Sequence, residues 1–85
     1  MTDSVSWTAT ALNQLAAIWN DSADRNPVTD ASHWLEQTIG RRPLEFGESR
    51  KSSVVRIGYR PPLGIEYEVI EDDKKVRVLR VWSVG

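Results

Sequence analysis

Hydrophobic and polar positions change rhythm along the 85-residue chain. Ser4-Val5-Ser6-Trp7 alternates polar with apolar, the period of a short strand with one buried face. From Thr8 the spacing becomes three and four. Leu12, Leu15, Ala16 and Trp19 form a stripe that Ala9, Ala11 and Ile18 widen, which predicts an amphipathic helix of roughly four turns ending between Asn20 and Ala23. Arg25-Asn26-Pro27 marks a second start, because an Asn side chain can accept from free helix N–H groups and proline suits the first helical position. Val28, Ala31, Leu35 and Ile39 carry this helix to Gly40, where Arg41-Arg42-Pro43 stops it. So short a link predicts two antiparallel helices packed on each other.

The second half favours extended structure. Residues 52–60 read as one strand and 63–71 as a second, in which Ile65, Tyr67 and Val69 alternate with Glu66 and Glu68; residues 75–84 read as a third. Pro61-Pro62 and the acidic turn Glu71-Asp72-Asp73-Lys74 separate them, so an antiparallel meander follows. Helices in one half and strands in the other predict an α+β fold in the order β-α-α-β-β-β, with a helical hairpin on one face of a small, mainly antiparallel sheet. The partner of the Val5 strand stays open.

Size and composition narrow the chemistry. A chain of 9.6 kDa predicts a single domain over residues 1–85. With no cysteine and one histidine, His33, neither a disulfide nor a structural zinc is expected, and no cofactor or metal; a reducing cytoplasm is the expected compartment. No apolar run is long enough to span a bilayer, so no membrane partner is expected. The net charge of −1 conceals an uneven distribution. Residues 1–40 hold one arginine against five acidic residues, 41–60 six basic against two acidic, and the remainder four basic against five acidic.

His33 sits on a predicted helix without ligand or triad partners, and no glycine-rich loop opens a helix. Glu66 and Glu68 read as solvent-facing charges opposite the core face of their strand. What remains is a set of arginines on strands, Arg56, Arg60, Arg77 and Arg80, with Tyr59 beside Arg60. Guanidinium and phenol together suit the phosphates and unstacked bases of RNA. The same arginines suit an acidic protein partner, or they protect a sheet edge. If they project together, they form one docking surface for an anionic target. Of the four tryptophans, Trp7, Trp19 and Trp82 fit predicted core faces, whereas Trp34 leaves the stripe of the second helix and is either a contact residue or the edge of a wide apolar stripe.

Trp7-Thr8 leading into Ala11-Leu12 and Leu15, then Trp19, Ala23-Asp24-Arg25, Pro43-Leu44, Gly47-Glu48-Ser49-Arg50, the run Pro62 to Val69, Val76-Arg77-Val78-Leu79 and Val81-Trp82 follow one another in an order and at a length that resemble the RelE/ParE superfamily. These are the toxin halves of type II toxin–antitoxin pairs, and the likeness is to a compact branch of the plasmid stabilisation type. The resemblance implies a toxin that halts growth by binding translation or replication machinery, the ribosome with its mRNA or DNA gyrase, and that a cognate antitoxin neutralises. Trp34, Arg50 and Lys51 become antitoxin-contact candidates; Arg56, Tyr59, Arg60, Arg77 and Arg80 become target- or RNA-binding candidates. An acidic or amphipathic antitoxin segment is expected along the sheet edge or in the groove beside the helices. The alternatives are a ribosome-dependent mRNA endoribonuclease and a non-toxic member kept for partner binding. The ribonuclease branch places an arginine three residues before the tyrosine of its third strand, where this chain has Gly64 before Tyr67. No catalytic residue carries over by position.

Overall fold

The computed structural model describes residues 4–52 and 55–84, and for residues 48–52 the backbone alone. The elements are β1 (Ser4–Trp7), α1 (Ala9–Asp21), α2 (Asn26–Arg41), β2 (Glu48–Ser52), β3 (Val55–Arg60), β4 (Leu63–Ile70) and β5 (Lys75–Ser83). The α+β class and the order of elements agree with the sequence pattern. One short strand is added, because β2 pairs antiparallel with β3 as an edge of the sheet, and the strand expected over 52–60 is β3 at Val55–Arg60. The full order is β1-β5-β4-β3-β2. β1 joins parallel to β5, while β2, β3, β4 and β5 form an antiparallel meander. Both helices lie on one face.

The register explains which side chains make the core. Along β4, Leu63, Ile65, Tyr67 and Val69 face the helices, and Gly64, Glu66 and Glu68 face away, the period-two alternation of a sheet covered on one side. On β5 the buried positions are Val76, Val78 and Val81, a break in the alternation caused by a register shift between Glu66 and Tyr67 of β4. Ala11 of α1 and Val28, Ala31, Leu35 and Ile39 of α2 close the core from above.

Three local expectations are corrected. Asn26 does not cap α2; its own backbone N–H donates to Asp24 Oδ1 at 3.1 Å, so Asp24 holds the helix start from two residues upstream. On α1 the face turned to the sheet is Ala11, Leu15 and Ile18, which leaves Leu12 51% and Trp19 40% exposed rather than in the core. The stripe was wide enough to admit either face, and the start of α1 selects one. Thr8 Oγ1 accepts from the Ala11 N–H at 3.1 Å while donating to the Leu79 carbonyl at 3.1 Å, so the first turn is fastened to β5. Finally, the helices pack mainly on the sheet, α1 along β5, and meet each other only sparsely. No helix among the described residues is long and apolar enough to cross a membrane.

Candidate functional site

β3 carries three of the sequence candidates and splits them between two faces. Arg56, Gly58 and Arg60 pair with the core-facing Tyr67, Ile65 and Leu63 of β4, whereas Tyr59 pairs with Gly64 on the uncovered face. Arg77 and Arg80 lie on that uncovered face too. Residues three apart on a regular strand point to opposite sides, and the register shift in β5 is what brings these two together.

On the uncovered face both arginines are engaged by the protein's own carboxylates. Arg80 Nε donates to Glu66 Oε1 at 3.0 Å, and Arg77 Nε donates to Glu68 Oε1 at 2.7 Å. The glutamates are the more covered partners, 13% exposed for Glu66 against 54% for Arg80, so the guanidinium groups form the outer layer. The Arg80 guanidinium also lies 5.5 Å over the Trp82 ring, and Tyr59 meets that ring edge-on at 6.1 Å. Both aromatic rings close over Gly64. A Cβ there would stand 2.7 Å from Trp82 Nε1 and 2.9 Å from Tyr59 Cδ1, so any side chain at 64 must displace a ring. Trp82 therefore belongs to the uncovered face and not to the core.

The helix side holds a second, separate cluster. The Arg60 guanidinium sits 4.7 Å over Trp34 of α2; Trp34 meets Phe46 edge-on at 5.4 Å, and Phe46 stacks on Tyr67 at 6.4 Å. Gly58 is the floor of this cluster, because a Cβ there would clash with Phe46 Cε2. Beneath it, the buried Tyr67 hydroxyl donates to the Pro43 carbonyl at 3.0 Å and to the Phe46 carbonyl. Arg56 Nε reaches the same Phe46 carbonyl at 3.1 Å, and its Nη2 reaches the Gly47 carbonyl at 2.6 Å. Two donors from neighbouring strands thus hold the 43–47 loop that links α2 to β2. Burial raises the Tyr67 pKa, with the Arg56 hydrogen bond and charge opposing, and the hydroxyl stays a donor through the neutral range.

The single docking surface expected from the sequence is not formed. Arg56 and Arg60 face the helices, while Arg77, Arg80 and Tyr59 face the other way, with both of these arginines paired. Trp34 is a rim residue of the helix-side cluster, and the side chains of Arg50 and Lys51 on β2 lie outside the described residues. Phe46, the ring that joins Trp34 to Tyr67, was not singled out by pattern, because it lies in a segment without periodicity. Its one sequence signal is a glycine, Gly58, inside an otherwise bulky strand.

No family model matches the sequence, and no curated protein matches it. Solved structures do. A chain of the toxin–antitoxin complex RelBE2 from Mycobacterium tuberculosis superposes with a TM-score of 0.79 at 19% identity, over 98% of this chain and 99% of that one. A chain of the chromosomal ParDE TA system from P. aeruginosa gives a TM-score of 0.73 at 18% identity, over 99% and 98%. At these identities the likeness is one of fold, and it extends from end to end of both chains.

Proposed function

We propose that this protein is the toxin component of a type II toxin–antitoxin pair, neutralised by a cognate antitoxin and arresting growth, when free, by binding translation or replication machinery. The observation that carries the reading is the end-to-end agreement of its fold with chains from two toxin–antitoxin complexes. Binding rather than RNA cleavage fits the uncovered face. Cleavage needs cations poised on the scissile phosphate and a group to move protons. On that face Arg77 and Arg80 are paired to Glu68 and Glu66, and the Gly64 position is closed by Tyr59 and Trp82. The surfaces offered to a target are then Tyr59 with Trp82 and Arg80 on one side, and Arg60 stacked on Trp34 on the other.

The test is induced expression in a bacterial host with and without the adjacent reading frame. Growth arrest relieved by co-expression supports the reading, and normal growth in both strains overturns it. Purified protein added to translating ribosomes distinguishes the mechanism: position-specific mRNA ends that disappear in Arg60→Ala would replace binding by an endoribonuclease.

A further inference from the structure

β1 ends at Trp7, opposite Val78, and beyond that point the outer edge of β5 has no strand beside it among the described residues. The start of α1 takes the place of a strand. The Thr8 N–H donates to the Val78 carbonyl at 3.0 Å, and Thr8 Oγ1 donates to the Leu79 carbonyl at 3.1 Å. Further along the helix, Gln14 Oε1 accepts from the Val81 N–H at 2.9 Å. In a regular strand successive carbonyls point to opposite edges, so two consecutive carbonyls reaching one residue mark the place where β5 carries an extra residue. The pairing agrees. Tyr67 lies opposite Val78 and Glu66 opposite Arg80, which leaves Leu79 without a partner on β4.

The extra residue decides which face the end of β5 presents. Val76 and Val78 face the helices, and with period two unbroken Arg80 and Trp82 would follow them inward while Leu79 and Val81 turned out. With Leu79 bulged, Val81 is buried instead. Arg80 then meets Glu66, and Trp82 meets Gly64 and Tyr59, on the uncovered face. The bulge therefore assembles that end of the face, and its backbone is held from the helix layer. Gln14 is also out of pattern on its own helix. It is half-buried and falls three residues after Ala11 and four before Ile18, a place in the sheet-facing stripe that apolar residues otherwise fill. Its bond to Val81 accounts for an amide at that place.

We infer that Gln14 is a positioning residue: by accepting from the Val81 N–H it fixes the bulge of β5 and so holds Arg80 and Trp82 on the uncovered face, the opposite side of the sheet from its own helix. Its part in target binding rests on the function proposed above, in which Tyr59, Trp82 and Arg80 form a contact surface. Thr8 does the companion task at Leu79, but the same hydroxyl caps α1, so a change there disturbs the helix start as well. Gln14 lies in the middle of α1, away from the cap. Alanine at 14 removes the acceptor from an N–H that α1 partly closes to water, and that loosens the backbone on which Arg80 and Trp82 are mounted.

The experiment is NMR on the full-length, isotope-labelled protein. In Gln14→Ala the Val81 amide should exchange about tenfold faster, the effect of one lost hydrogen bond. The nuclear Overhauser contacts of the Trp82 indole with Gly64 and Tyr59 should weaken with it, while exchange at Val69 and Val76 stays as in the wild type. Gln14→Glu keeps an acceptor oxygen at the same reach and should restore both local signals at neutral pH. Val81 exchange or Trp82 contacts unchanged in Gln14→Ala, exchange rising as much at Val69 and Val76 as at Val81, or a Gln14→Glu protein that behaves like Gln14→Ala overturns the inference. Growth is scored separately. Where the wild type arrests growth, Gln14→Ala at equal protein level should arrest it more weakly, and undiminished arrest overturns the inference while the proposed function stands. Where the wild type does not arrest growth, the proposed function falls by itself and the NMR measurements still decide whether Gln14 positions Arg80 and Trp82.

Discussion

The indole of Trp82 lies across Gly64, so close that a Cβ built on the glycine would stand 2.7 Å from Nε1. The two residues are directly paired across β4 and β5. A glycine inside a strand costs conformational entropy, and here it is offset by an aromatic ring laid over the bare backbone, with Tyr59 closing the other side. Gly64→Ala should therefore destabilise the fold by about 1–3 kcal/mol through overpacking. Urea denaturation measures it. In Trp82→Ala the same substitution should cost less, since one of the two obstructing rings is gone and Tyr59 alone remains; equal costs in the two backgrounds would mean that the indole does not occupy this place.

Tyr67→Phe removes the hydroxyl that holds the Pro43 and Phe46 carbonyls. The loss should be about 1–2 kcal/mol at neutral pH, since Arg56 still serves the Phe46 carbonyl whereas the Tyr67 bond to Pro43 is lost. An unchanged urea midpoint would show that water satisfies both carbonyls equally well.

The same tyrosine makes stability fall in alkali. Its pKa is raised in the folded protein, chiefly by burial, so the unfolded chain releases this proton first as pH climbs. The contribution is complete below about pH 10, the ordinary tyrosine value, and is lost as pH rises through the raised one. The decline in urea midpoint above pH ~10 should be shallower in Tyr67→Phe than in the wild type. Parallel curves for the two proteins would reject the assignment.

Arg80 and Glu66 should couple weakly. The guanidinium is more than half exposed and screened by solvent, so a double-mutant cycle of Arg80→Ala and Glu66→Ala should return a coupling of about 1 kcal/mol or less. A coupling well above that would make the pair a structural clamp and not a covered surface charge.

Leu12 and Leu35 separate surface from core on the two helices. Leu35 is fully buried, and Leu35→Ala should cost about 2–5 kcal/mol. Leu12→Ala, at a site half open to solvent, should cost about 1 kcal/mol or less. Similar costs for both would move Leu12 back into the core.

Every element but β2 was legible because each depends on local order, whereas β2 carries no such pattern and forms as the edge partner of β3. The steps of three and four from Val28 to Ile39 survive as the buried face of α2, and the alternation of Ile65, Tyr67 and Val69 survives as the inner face of β4. The stripe of α1 was legible as a helix but not as a face, since apolar residues nearly encircle it and its rotation is set by contacts to β5, Thr8 donating to the Leu79 carbonyl and Gln14 Oε1 accepting from the Val81 N–H. The candidate site was legible as residue types and not as a surface. Arg56 and Arg60 belong to one side of β3 by parity, which could be read in advance, but that this side is the one under Trp34 could not.

Local periodicity, acting through backbone geometry and the burial of apolar stripes, was enough to specify both helices, the strands other than β2, and the fold class. Contacts between residues far apart in the chain decided the rest: β1 beside β5, the shift that turns Arg77 and Arg80 to the same side, and Phe46 lodged on Gly58. Such contacts depend on which surfaces fit once all the elements are present, and a one-residue change of register moves a side chain to the opposite face of the sheet without altering any local pattern.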